Sequence, residues 1–262
     1  MEVSIRKISN MKLLTLTLTG ADDKVNPVEL AKLSQEYPFI EWAILLSDQR
    51  EGTLRYPSKE WRTEFYKASP DSNKAAHLCG KEVLARLVAQ DSELVTELKE
   101  YKRIQLNFNA TRLDESELYE LERCVKSGIY AHKSGVLTKF ITQHNEANAY
   151  ITPRFCEIEG HSLTIHQVLF DASGGLGKSP DAWPPALQYK LCGYAGGLGP
   201  DNIASELHKI ETVIGKPFNT NNPEMWIDME SKLRTDDEFD LNKVKAVAEV
   251  VQHYINKSKA GA

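Results

Sequence analysis

Eight short apolar runs recur along this chain at intervals of roughly 25–35 residues, with helix-like stretches between them. They are Leu13–Thr19, Ile40–Leu46, Ala75–Cys79, Ile104–Phe108, Val136–Thr142, Gln167–Phe170, Leu191–Tyr194 and Met225–Met229. The stretches between them carry apolar residues at helical spacing: Leu30, Leu33 and Tyr37 behind Asn26-Pro27, then Trp61 and Phe65, then Val83, Leu84 and Leu87. Further on come Leu118, Leu121 and Val125, then Ile203, Leu207, Ile210 and Ile214, and a last helix through Leu241, Val244, Val247, Val251 and Tyr254. Strands that alternate with helices form parallel sheets, and eight is the number that closes a barrel. The pattern predicts an α/β chain folded as one (β/α)8 TIM barrel over residues 1–262. An open doubly wound sheet is the alternative, and it normally needs fewer strands for this length. The fifth and sixth crossovers are the weak places, since Pro153 interrupts one and Pro180, Pro184 and Pro185 the other.

Composition narrows the function classes. With 41% hydrophobic and 26% charged residues the chain reads as an ordinary globular protein. A net charge of −5 argues against nucleic acid as a partner, though local N–H clusters still allow a small anion. No apolar run approaches a membrane span or a secretion signal, so neither a membrane nor export is expected. Cys79, Cys124, Cys156 and Cys192 form no CxxC pair and suggest buried thiols in a reducing cytoplasm, with no structural metal.

In a barrel the carboxyl ends of the strands carry the chemistry. Here they present Thr19, Ser47, Cys79, Asn109, Gln143, Asp171, Ala195 and Asp228. Three stretches stand out. Gly193-Tyr194-Ala195-Gly196-Gly197-Leu198-Gly199-Pro200-Asp201-Asn202 joins the seventh strand to a helix. Strand, glycine turn and helix start together make an anion site, most often for phosphate. Val168-Leu169-Phe170-Asp171 leads into Ala172-Ser173-Gly174-Gly175-Leu176-Gly177, placing an acid before a second glycine loop. Trp226-Ile227-Asp228-Met229-Glu230-Ser231 ends the eighth strand, where a short extra helix commonly completes a phosphate site. Residues 172–179 also fit a loose nucleotide P-loop, but that loop must open a long helix, which Pro180, Pro184 and Pro185 forbid. The acidic run Asp236-Asp237-Glu238 reads as a solvated loop.

These three stretches, in this order and at this spacing, resemble the last strand-end motifs of phosphoribosylanthranilate isomerase, a ribulose-phosphate-binding TIM barrel. The resemblance covers the last hundred or so residues. It implies that Asp171 is a general acid and that Gly174, Gly175, Gly177, Gly196, Gly197 and Ser231 bind phosphate. By the same resemblance Asp228, Arg55 and the position of Thr19 belong to the substrate site. The first strand departs from the family, which places a cysteine base where this chain has Thr19. A lone threonine hydroxyl is too weak a base near neutral pH. Replacement bases are Asp22 and Asp23 just beyond it, or His77 and Cys79, whose spacing puts both on one strand face; His144 is a further candidate. The expected function is therefore an isomerase-type enzyme, or a related lyase, acting on a phosphorylated sugar or sugar-amine without metal or cofactor. A non-catalytic barrel that binds a phosphorylated metabolite is the alternative.

Overall fold

The computed structural model describes residues 12–127, 130–157, 165–171, 177–187, 190–214 and 224–260. Its eight long strands are β1 (Lys12–Thr19), β2 (Ile40–Leu46), β3 (Asn73–Cys79), β4 (Arg103–Asn107), β5 (Lys139–His144), β6 (His166–Asp171), β7 (Cys192–Ala195) and β8 (Glu224–Met229). Each pairs in parallel with its neighbours, and β8 returns to β1 through pairs such as Leu16 with Ile227. The sheet is a closed barrel, and the open-sheet alternative is excluded.

The helices are α1 (Pro27–Glu36), α2 (Lys59–Ala68), α3 (Lys81–Val88), α4 (Ser92–Leu98), α5 (Glu115–Ser127), α6 (Thr152–Cys156), α7 (Ile203–Ile214) and α8 (Leu241–Ala260). Their starts follow ordinary capping. Asn26 Oδ1 accepts from Val28 N at 2.9 Å ahead of Pro27, and Ser58 Oγ accepts from Trp61 N at 3.2 Å. The extra helix α4 was not foreseen, although Asp91 caps it by accepting from Leu94 N at 3.0 Å. The later crossovers carry little helix, and Pro153, expected to interrupt the fifth, stands in the first turn of its helix. The helix α6 has five residues, and no helix occurs in the described part of the sixth crossover, residues 177–187. Among the described residues no helix is long and apolar enough to cross a membrane.

Strand bounds differ from the expected ones by one or two residues in most strands and by three at the start of the fifth. The fifth run was expected to begin at Val136, but β5 begins at Lys139. Gly135, at φ 81°, turns the chain back on itself, and Ala131 bridges Leu137 in antiparallel fashion. Val136 and Leu137 are therefore exposed in a turn rather than buried in the sheet.

Alternate residues of each strand face the helices or the barrel axis. Outward residues such as Leu16, Trp42, Ile104 and Ile227 join the helix faces in one large core, whereas Ile141, Leu169 and Trp226 form a separate cluster on the axis. Trp226 fits only because β7 carries no side chain opposite it. A Cβ at Gly193 would lie 2.1 Å from Trp226 Cε2. Beside the indole sits the guanidinium of Arg103, 4.6 Å from the ring centroid and 7% exposed. Arg103 Nε donates to Glu41 Oε2 at 2.9 Å, Nη1 to Gln167 Oε1 at 3.1 Å and Nη2 to Thr17 Oγ1 at 2.9 Å. Thr17 Oγ1 in turn donates to Glu41 Oε1 at 3.0 Å. This axial charge pair is thus fully hydrogen-bonded, the condition under which a buried ion pair is tolerated.

Replacing only Arg103 by Met should cost about 3–5 kcal/mol, because Glu41 would be left buried without a counter-charge. Adding Glu41→Leu should recover most of that loss. Urea unfolding of the two variants measures the difference, and equal stabilities would show that the charge pair is not coupled.

Candidate active site

At the carboxyl ends of the strands the barrel opens into a cleft of about 1280 Å³. Its floor is made by inward side chains of six strands: Thr19 on β1, His77 and Cys79 on β3, Gln105 and Asn107 on β4, Gln143 on β5, Asp171 on β6 and Asp228 on β8. Gly177, Gly196, Gly197, Ser231 and Lys232 line the β6–β8 side. Arg50 after β2, Lys81 at the start of α3 and Arg112 in the short helical turn after β4 also line the cleft.

Two carboxylates organise the floor. Asp228 Oδ1 accepts from Thr19 Oγ1 at 2.8 Å, and its Oδ2 lies 3.8 Å from His77 Nε2. Burial, with the negative charges of Glu230 and Asp171 nearby, pushes the Asp228 carboxyl up to about 7; the Thr19 hydrogen bond and the charge of Arg103 oppose this. Asp171 Oδ2 accepts from Gln143 Nε2 at 3.0 Å. The two strands that carry these acids are separated only by β7, whose inward Ala195 pairs in register with both. Thr19, at the place of the expected base, is a hydrogen-bond donor to an acid.

The histidine and cysteine of β3 share the cleft but do not activate one another. Cys79 Sγ accepts from Asn107 Nδ2 at 3.2 Å and lies 3.5 Å from its own strand's His77 carbonyl oxygen. Burial pushes the thiol up to about 11, so a thiolate base is disfavoured. Burial, with the Arg103 charge as a smaller cause, lowers His77 to about 3, and the imidazole is neutral. His144 is turned to Thr152, with Nδ1 3.0 Å from Oγ1, and stands outside the floor.

The first-loop candidates lie elsewhere. Asp22 is 2% exposed and accepts from Arg55 N at 2.7 Å and from Arg234 Nη2 at 3.1 Å. Asp23 accepts from Ser58 N at 2.8 Å and from the Ser58 hydroxyl. Neither lines the cleft, so the structure assigns both to holding the β1 and β2 loops together. Arg55 is likewise diverted. At φ 75° it donates from Nη1 to Glu230 Oε1 at 2.8 Å and from Nη2 to Asp237 Oδ1 at 2.6 Å. Asp236 and Asp237, with φ of 50° and 61°, form the tight turn between Arg234–Thr235 and Glu238–Phe239. No group of His, Cys, Asp and Glu suited to a metal ion occurs among the described residues.

The loops after β6, β7 and β8 converge as the glycines suggested. A Cβ at Gly177 would approach Ser231 Cβ to 3.0 Å, and one at Gly197, where φ is 60°, would lie 2.4 Å from Ser179 N. Gly197 is therefore required for loop packing. Asn202 Nδ2 donates to Gly197 O at 2.9 Å, and Asn202 Oδ1 accepts from Gly199 N at 2.9 Å, which fixes the turn ahead of α7. Gly174 and Gly175 lie outside the described residues. Gln105 and Asn107 were not singled out from the sequence. Their signal is three polar residues at period two, Arg103, Gln105 and Asn107, in a strand whose other positions are Ile104 and Leu106.

The raised Asp228 carboxyl has a consequence for stability. The folded state keeps its proton up to about 7, against an ordinary carboxyl value of 3.8. Stability from this group is fully present below the ordinary value and is lost as pH rises through about 7. Asp228→Asn should flatten that fall, raising the melting temperature more near neutral pH than in mild acid. Parallel slopes for the two proteins would show that Asp228 titrates like an exposed acid.

No family model matches the sequence, and no curated protein matches it. Solved structures of similar fold include phosphoribosyl anthranilate isomerase from Thermococcus kodakaraensis, at 11% identity and a TM-score of 0.50, covering 91% of this chain and 98% of that one. N-(5'-phosphoribosyl)anthranilate isomerase from Pyrococcus furiosus aligns at 11% identity and TM-score 0.50, over 92% and 99% of the two chains. Truncated 3-deoxy-D-arabino-heptulosonate 7-phosphate synthase from Thermotoga maritima aligns at 12% and 0.53, over 99% and 92%. At these identities the likeness is one of fold, and the chain is a TIM barrel.

Proposed function

We propose that this barrel is an enzyme that moves a proton on a phosphorylated sugar or sugar-amine, in the manner of a phosphoribosylanthranilate isomerase. The observation that carries the reading is the pair of acids, Asp171 and Asp228, on the cleft floor beside the converging loops of Gly177, Gly197 and Ser231. Isomerisation next to a carbonyl or imine needs one group to take a proton from carbon and another to give one back. Asp228 suits the base. Its carboxyl titrates at about 7, so a useful fraction is ionised near neutral pH while it remains basic enough to accept a proton. Thr19 occupies Oδ1 and orients the carboxylate, leaving Oδ2 on the His77 side. Asp171 is the acid, held by Gln143. In this reading the first strand's threonine supports a base on the eighth strand instead of supplying one.

The phosphate goes to the loops after β6, β7 and β8. Support comes from their convergence and from Lys232, which lines the same wall. A barrel that binds a phosphorylated metabolite without turning it over is the second reading, favoured by the missing first-strand cysteine alone.

Two measurements test the proposal. Ser231→Asp, which adds charge to the presumed anion site, should weaken inorganic phosphate in calorimetry at least about tenfold; unchanged affinity would remove the anion site. In a screen of pentose and hexose phosphates for exchange of carbon-bound hydrogen with D2O, Asp171→Asn and Asp228→Asn should each slow exchange by about a hundred- to ten-thousandfold. Wild-type rates in both variants would discard the mechanism. Phosphate binding with no exchange on any sugar phosphate would leave the non-catalytic reading standing.

A further inference from the structure

The ionised form of Asp228 leaves a gap on the cleft floor that a single proton closes. His77 Nε2 is buried to less than one square ångström, on a residue 2% exposed, and has no hydrogen-bond partner. Across the barrel from it is Asp228 Oδ2 at 3.8 Å, too far for a hydrogen bond. The other carboxyl oxygen is already committed, since Oδ1 accepts from Thr19 Oγ1 at 2.8 Å. A bare ring nitrogen and a carboxylate oxygen are both acceptors, so nothing joins them while Asp228 is ionised. Unsatisfied buried acceptors of this kind are rare in native proteins and costly to keep.

We infer that His77 is the positioning residue of the base: when Asp228 carries a proton on Oδ2, that O–H donates to His77 Nε2, and the acid form is held at both oxygens, by Thr19 on one and by His77 on the other. The inference rests on the reading of Asp228 as the base. The ring's single hydrogen is then on Nδ1, which leaves Nε2 free to accept. Closing the gap from 3.8 Å to hydrogen-bond length takes a movement of about 1 Å. The surroundings fix which partner keeps the proton. Burial, and then the charge of Arg103 on β4, disfavour an imidazolium at His77. Burial, with Glu230 beyond β8 and Asp171 on β6, favours the proton on Asp228 against the opposing Thr19 hydrogen bond and Arg103 charge. In register with His77, β2 presents only Leu45 and β4 the neutral Gln105. In the reaction Oδ2 takes the proton from carbon, the electron pair stays with the substrate and is taken up by its carbonyl or imine, and nothing passes onto the ring. The new O–H turns to Nε2, away from the carbon it came from, which leaves Asp171 to supply the proton that is given back.

Ring-nitrogen and carboxyl NMR on the intact chain, labelled at histidine and aspartate, tests this from about pH 5 to 9. As pH falls through about 7, the Asp228 carboxyl and His77 Nε2 should change together at one midpoint. Nε2 should pass from a bare to a hydrogen-bonded acceptor, with Nδ1 keeping its hydrogen throughout. Asp228→Asn, whose amide still accepts from Thr19 and donates to His77, should hold Nε2 in its low-pH state across the range. A ring that stays unchanged while Asp228 titrates would overturn the inference. So would a hydrogen on Nε2 at every pH, or an imidazolium forming at the shared midpoint. The wild-type titration needs neither a substrate nor a variant that folds. On any sugar phosphate that exchanges hydrogen with D2O, His77→Leu should lower kcat about tenfold with KM little changed, and His77→Gln, which keeps an acceptor, should recover most of the loss. Wild-type kcat in His77→Leu would end the positioning role. A joint titration without exchange on any sugar phosphate would sustain the pair and discard the base; exchange with an unmoved ring would sustain the base and discard the pair.

Discussion

The guanidinium of Arg103 is the interaction on which the rest of this barrel depends. From β4 it reaches Thr17 on β1, Glu41 on β2 and Gln167 on β6, and it lies over the indole of Trp226 on β8. A ring of eight strands must fill its own axis, and apolar layers do so in most barrels. Here half the axis is apolar, through Ile141, Leu169 and Trp226, and the other half is a charge pair. Buried ion pairs add little net stability compared with apolar packing, but they tolerate few alternative arrangements. The same positive charge helps to keep His77 neutral and holds down the carboxyl of Asp228 against its burial. Scaffold and site therefore share one electrostatic centre.

A second set of charges acts from the rim. Arg55 holds Glu230 and Asp237, while Arg234 holds Asp22 and donates to Gly20 O at 2.6 Å. These contacts tie the loops after β1, β2 and β8 across the seam where the last strand meets the first. Glu230 is one of the charges that raise Asp228, so its pairing with Arg55 moderates the acid on the floor. Arg55, which does not line the cleft, thus holds a residue whose charge acts on the floor.

The strands were legible because a parallel barrel strand is buried on both faces, and a run such as Ile40–Leu46 has few other uses. The error at β5 arose where Val136 and Leu137, apolar but exposed, follow the turn at Gly135. The floor was legible by the rule of strand ends, which found Thr19, Asp171 and Asp228. Their partners were not, since Thr19 and Asp228 lie 209 residues apart and only closure of the ring brings them together. That Asp22, Asp23 and Arg55 stand off the cleft lining was hidden for a related reason. Sequence proximity to a strand end does not say whether a loop side chain turns toward the cleft or toward the neighbouring loop. Gln105 and Asn107 lay hidden because alternating polar residues ordinarily mark a solvent face, and in a barrel they mark the lumen.

Gly193 and Trp226 carry a consequence for how such a chain can diverge. One residue has no side chain and the other has the largest, and each size is set by the other across a single strand pair. Neither position can drift alone, since any side chain at 193 collides with the indole and a smaller residue at 226 opens a void on the axis. Descendants of this chain would have to exchange volume between the two strands in linked steps. The coupling lies on the axis beneath the cleft, so it constrains the scaffold separately from the residues that line the cleft above.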